Sequence, residues 1–154
     1  MIQMSPAESA IALMVAVMRN TTARQSGVGD KQMGRQDPIQ IDRDGIIAEM
    51  AFGKQFNLYP DLSTYPRKGG ADLITKTGLK VDVKATRYKT GRLLIHVDKP
   101  VTEVDIYVLG IVDGDTVDFI GYVRSEDAIQ AQNLKDLGHG VGYVIEQDAL
   151  RKFK

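Results

Sequence analysis

The stretch Gly69-Gly-Ala-Asp-Leu-Ile-Thr-Lys-Thr-Gly-Leu-Lys-Val-Asp-Val-Lys-Ala-Thr86 reads as two short strands joined by a tight turn. Asp72, Asp82 and Lys84 interrupt segments that are otherwise apolar. A three-residue hairpin loop commonly ends in a left-handed residue, a conformation that costs Gly nothing, so Lys76-Thr77-Gly78 is the expected turn. Thr75 then pairs with Leu79, and counting outward sets Asp72 opposite Asp82 on one face, where opposed Cβ atoms stand about 4.5–5.5 Å apart. Side chains alternate along a strand, so Lys84 shares that face while Val81, Val83 and Ala85 turn to the other. A two-residue loop would send the two acids to opposite sides, so the reading depends on Gly78.

Two carboxylates this close repel unless a proton or a cation lies between them. Mg²⁺ takes oxygen ligands, keeps several waters and is often held by one or two carboxylates plus a substrate phosphate. A neighbouring lysine would hold a water or stabilise charge building on phosphorus. The grouping suits phosphodiester hydrolysis.

Asp72, a spacer and Asp82-Val83-Lys84 resemble the signature of the PD-(D/E)XK, or restriction-endonuclease-like, nuclease superfamily. The family's helix glutamate falls at Glu49 in Asp44-Gly-Ile-Ile-Ala-Glu-Met-Ala-Phe-Gly, and the resemblance covers about residues 44 to 124. Ala71 stands where the family name has proline. The resemblance implies an α/β fold with a central mixed sheet flanked by helices, and a metal-dependent DNA endonuclease. Asp72, Asp82 and the Val83 carbonyl would hold Mg²⁺, with Mn²⁺ as the alternative ion. Lys84 would orient or deprotonate the attacking water, and Glu49 would hold a metal-bound water or a second ion. A homodimer is expected, since cutting both strands takes two sites. A four-way-junction resolvase and a non-catalytic nucleic-acid-binding protein that kept the fold are the rival readings.

The 154 residues predict a single domain. Formal net charge is zero, which does not suit a protein that coats nucleic acid indiscriminately. The distribution says more: Arg67, Lys68, Lys76, Lys80, Lys84, Arg87, Lys89 and Arg92 surround Asp72 and Asp82, whereas acids dominate after Val101. Arg67, Lys68, Lys89 and Arg92 are therefore candidate DNA contacts, joined by Ser63, by Thr86, which shares the face of Asp82 and Lys84, and by Arg87 at the strand end. Solvated turns and strand faces give similar charge runs. The absence of cysteine excludes disulfides, thiolate metal sites and cysteine nucleophiles. His96 and His139, the two histidines, could in form make a two-histidine metal site, but a histidine on a strand is more often a satisfied core residue and no HNH-type partners accompany them; Gly138-His139-Gly140 reads as a turn.

Ser5-Pro6-Ala7-Glu8 predicts a helix start with a capping box, and the helix runs from 5 to about 23. Ile11, Met14, Val15 and Met18 have the spacing of a buried stripe, either core or a dimer contact. The apolar run from Ala10 to Met18 is too short for a membrane span, and Glu8 argues against a secretory leader, so a cytoplasmic location is expected. Residues 25–40 read as a mobile loop. A second helix is expected from Asp42 or Asp44 to about Asn57, with Glu49 at the edge of its buried face, followed by a loop to Gly70. Arg92–Val97, Asp105–Val112, Thr116–Arg124 and Val141–Ile145 read as strands, the middle two antiparallel through Asp113-Gly114-Asp115. Helices are expected at Ser125 and over Gln147–Phe153.

Overall fold

The computed structural model describes residues 1–27, 37–66 and 69–154. Strand β1 (Ile2–Gln3) precedes helix α1 (Pro6–Gln25), which opens with the predicted box: the Glu8 amide donates to Ser5 Oγ, and the Ser5 amide donates to Glu8 Oε2. Helix α2 (Pro38–Phe56) starts earlier than the sequence reading placed it. Asp37 caps it by accepting from the Ile39 amide, and Pro38 takes the first helical position, where a missing N–H costs nothing. Asp44 is thereby an internal helix residue instead of a cap. Of the predicted mobile loop 25–40, residues 38–40 are helical, and 28–36 lie outside the described residues.

Strands β2 (Leu73–Ile74) and β3 (Lys80–Thr86) form the expected hairpin. The Thr75 amide donates to the Leu79 carbonyl at 2.8 Å, and Gly78 has φ +88°. Strands β5 (Ile106–Asp113) and β6 (Thr116–Arg124) pair antiparallel as expected, and β3 lies parallel to β5. The resulting sheet is five-stranded and mixed, in the order β1-β6-β5-β3-β2. A bulge at Leu109 and Gly110 shifts the β5–β6 register, an irregularity that lets each strand keep its apolar residues inward on both sides of the break.

The two faces of this sheet carry different layers. Val81, Val83, Val108, Val112 and Val117 pack beneath α1 and α2, together with Ile46, Ile47 and Phe52. On the other face Tyr107, Leu109 and Val123 meet Leu93 and Ile95 of β4 (Leu93–His96) and Ile145 of β8 (Val141–Ile145). These two strands and β7 (Leu134–Asp136) form a second sheet, β4-β8-β7. The mixed α/β class holds, but among the described residues the long helices cover one side of the main sheet; the other is covered by strands and the single turn α3 (Ser125–Ala128).

Two further expectations change. The C-terminal helix reduces to one 3₁₀ turn, Gln147–Ala149, because Arg151 and Tyr122 exchange backbone hydrogen bonds of 2.8 and 2.9 Å that hold the chain extended. On α1 the buried residues are Ala12, Val15, Ala16 and Asn20, while Ile11, Met14 and Met18 of the predicted stripe are exposed. Small residues let α1 approach α2 closely, so the alanine side packs inward and the larger side chains face out. No helix among the described residues is long and apolar enough to cross a membrane.

Candidate active site

Strand β3 fixes Asp82 and Lys84 by alternation. Val81 and Val83 are drawn into the apolar layer under α2, and this turns Asp82 and Lys84 to the opposite face. There Asp82 lies beside Tyr107, its partner in the parallel β3–β5 ladder. Asp82 is 4% exposed, and a carboxylate so buried needs a counter-charge. Among the described residues it has two: Lys84 Nζ stands 2.7 Å from Oδ1 and Lys99 Nζ 3.8 Å from Oδ2.

Asp72 departs from the predicted register. The paired rungs end at Leu73 and Val81, so Asp72 is not the next rung opposite Asp82. Its amide donates to the Val81 carbonyl, and its carboxylate accepts the Val83 amide at 2.8 Å. The physical cause lies upstream, where Gly69 and Gly70 take φ of +71° and +102° and the Asp72 carbonyl accepts the Asp61 amide, which together swing the chain off the strand line. The carboxylate is therefore at the open edge of β3. N–H and C=O of one strand residue point the same way, so the Val83 carbonyl opens to the edge where Asp72 sits.

Asp72, the Val83 carbonyl and Asp82 offer hard oxygen donors only, the set that suits Mg²⁺. Among the described residues no three histidines or acids converge on one point, so the protein's share would be two carboxylates and a carbonyl. His96 pairs with Asp98 at 3.3 Å and takes no part.

Glu49 is buried on α2, more deeply than the edge position predicted for it. The structure sets Arg19 of α1 at 3.7 Å from its Oε2. That guanidinium also donates to the carbonyls of Asp61 and Ser63, and the Asp61 amide donates to Asp72. Glu49 thus reaches Asp72 through a relay of backbone contacts.

Three neighbours of Asp82 were not singled out in the sequence: Lys99, Glu103 and Tyr107. Lys99 Nζ bonds Glu103 Oε2 at 2.9 Å, and the Gly70 amide donates to Glu103 Oε1. The four-residue spacing of Lys99 and Glu103 was the available signal, though the segment is a turn and not a helix. Burial, then the charges of Asp82 and Glu103, push the Tyr107 phenol up, so it stays neutral beside them. The Lys99 hydrogen bond, with help from the Gly70 amide and against the cost of burial, holds the Glu103 carboxyl below its ordinary 4.5. A depressed carboxyl contributes stability that is present above the unfolded value and lost as pH falls through the folded one. We expect the melting temperature to drop on acidification below about pH 4.5, and Glu103→Gln to remove part of that drop. Identical pH curves for the two chains would contradict it.

The candidate DNA contacts gather past Lys84. Thr86, Arg87 and Arg92 line, with Lys84 and Tyr88, a cavity of about 440 Å³. Arg87 is half exposed and bonded to the buried Asp44, which also takes Arg43; Arg92 pairs with Glu146. Lys89 lies in the same turn, its carbonyl accepting from Gln147. Arg67 and Lys68 lie outside the described residues. A larger cavity of about 830 Å³, walled by Phe56, Leu79, Val101 and Phe153, carries none of the candidate catalytic residues. Compared with known proteins, the chain matches no family model and no curated protein sequence.

Proposed function

We propose that the protein is a metal-dependent DNA endonuclease with a restriction-endonuclease-like core. The observation that carries this reading is the buried Asp82 carboxylate with Lys84 at 2.7 Å, beside the strand edge where the Asp72 carboxylate meets Val83. Asp72, Asp82 and the Val83 carbonyl would hold Mg²⁺ or Mn²⁺, which when bound neutralises phosphate charge and acidifies water. Lys84 orients the attacking water and stabilises negative charge on the phosphate in transit. Glu49 is a positioning residue: through Arg19 it steadies the segment that delivers Asp72.

The test incubates the protein with supercoiled plasmid, linear duplex and a four-way junction, in Mg²⁺ or in EDTA, beside Lys84→Ala. Metal-dependent cutting that Lys84→Ala abolishes is the expected result. Cutting confined to the junction narrows the activity to resolution of branched DNA. Binding without any metal-dependent cut leaves a nucleic-acid-binding protein and ends the hydrolytic reading.

Cutting both strands requires two sites, and we assign the second to another copy joined through α1. Leu13, Met14, Val17 and Met18 leave an apolar face exposed along a 20-residue helix. Such a face on a soluble chain marks a contact surface. Light scattering should give a dimer mass that Met14→Glu with Val17→Glu halves; a monomer mass for the unmutated chain would remove the assignment.

A further inference from the structure

We propose that Tyr88 is a stacking platform for an unpaired nucleobase, so that DNA enters this site as a single strand or a locally unpaired branch. The inference rests on the nuclease reading for the chemistry at Asp82 and narrows its substrate class.

Tyr88 stands four residues beyond Lys84, just past the end of β3, and the residue is 65% exposed. An aromatic ring so exposed suggests a loose loop, but the turn that carries it is fastened on both sides. The Tyr88 amide donates to Thr86 Oγ1 at 3.2 Å and the Gly91 amide to the Tyr88 carbonyl at 2.8 Å. Gln147 Nε2 then donates to the carbonyls of Lys89 and Gly91, each at 2.8 Å. A ring displayed on a fixed backbone loses little freedom when a ligand covers it.

Tyr88 and Arg87 line two cavities, one of about 440 Å³ shared with Lys84 and one of about 280 Å³. Among the described residues the second cavity is otherwise lined by Asp37 and Gln40, an acid and an amide that suit the hydrogen-bonding edge of a base. The first cavity is lined by Lys84, Arg87 and Arg92, cations that suit a phosphodiester, together with Asp44, which Arg87 holds in an ion pair. Bases inside a duplex have both faces covered by their neighbours, so a ring can stack only on a base that is unpaired or drawn out. An exposed ring on a fastened turn, beside a cavity lined by Lys84, Arg87 and Arg92, fits a strand with one unpaired base stacked on Tyr88.

The test is binding in EDTA, where no cutting occurs, to labelled single-stranded, forked and duplex DNA by fluorescence anisotropy. Tyr88→Ala should weaken single-stranded and forked DNA about tenfold and change duplex binding by less than about twofold, with Tyr88→Phe close to the unmutated chain. The chain contains no tryptophan, so Tyr88→Trp provides a single indole, excited apart from the tyrosines, whose fluorescence should fall on adding single-stranded but not duplex DNA. Equal affinity of Tyr88→Ala and the unmutated chain for single-stranded DNA overturns the proposal, as does an equal loss on all three substrates. Cleavage is not the readout, so the two readings fail separately. A chain that never cuts yet shows this discrimination loses the hydrolytic assignment and keeps the stacking one.

Discussion

Asp82→Asn should lower Mg²⁺-dependent cleavage by on the order of 10³-fold while leaving DNA binding in EDTA unchanged or slightly tighter. The substitution keeps the shape of the side chain and removes its charge. Asp82 is buried with two ammonium groups beside it, and in the proposed reaction it would be a metal ligand that a neutral amide replaces poorly. Removing an anion from a phosphate-binding surface also removes repulsion, which is why binding should not fall. Lys84→Ala makes the contrasting case: it deletes a cation, so cleavage should fall and DNA affinity should weaken modestly as well. This opposite effect on binding distinguishes a ligand for the metal from a ligand for the phosphate. Cleavage by Asp82→Asn at the unmutated rate would remove the site from β3 altogether.

Phe52→Ala should destabilise the protein by about 3–5 kcal/mol. Phe52 is 3% exposed and packs its ring 4.5 Å from Phe56, 5.4 Å from Phe119 and 6.1 Å from Phe153, centroid to centroid. Truncation loses the transfer free energy of the ring and leaves a cavity that α2, β6 and the C-terminal segment line from three directions and cannot all close. A domain of this size is stable by only about 5–15 kcal/mol, so the loss is a large share of the total. Phe56→Ala, at a position 36% exposed, should cost clearly less and serves as the control. Denaturant unfolding measures both; equal midpoints for the two variants would show that the aromatic cluster does not anchor α2 on the sheet.

Both effects depend on α2 and β3 sharing one apolar layer, and the residues that build that layer were legible along the chain to different degrees. Period-two alternation in Val81-Asp-Val-Lys84 was enough to separate the acid and the lysine from the valines, because neighbours on a strand must face opposite ways. Gly78 was enough to fix the turn. On α1 the same kind of reasoning misassigned the face: helical spacing identifies a stripe, but two stripes were present, and the one with alanines won because it allows the closest helix contact.

Chain-local chemistry thus determined the hairpin and its register up to Leu73, the β5–β6 pairing, the capped start of α1, and the side of β3 on which Asp82 and Lys84 emerge. Each of these follows from torsion preferences and hydrogen bonds among residues close in sequence. Only the tertiary structure decided that Asp72 leaves the ladder to meet the Val83 amide, that Lys99 and Glu103 close around Asp82, that Glu49 faces Arg19, and that β4 joins β8 in a separate sheet. Those contacts link segments separated by up to some fifty residues, and their energy depends on burial and charge brought together by packing, quantities that no local pattern carries.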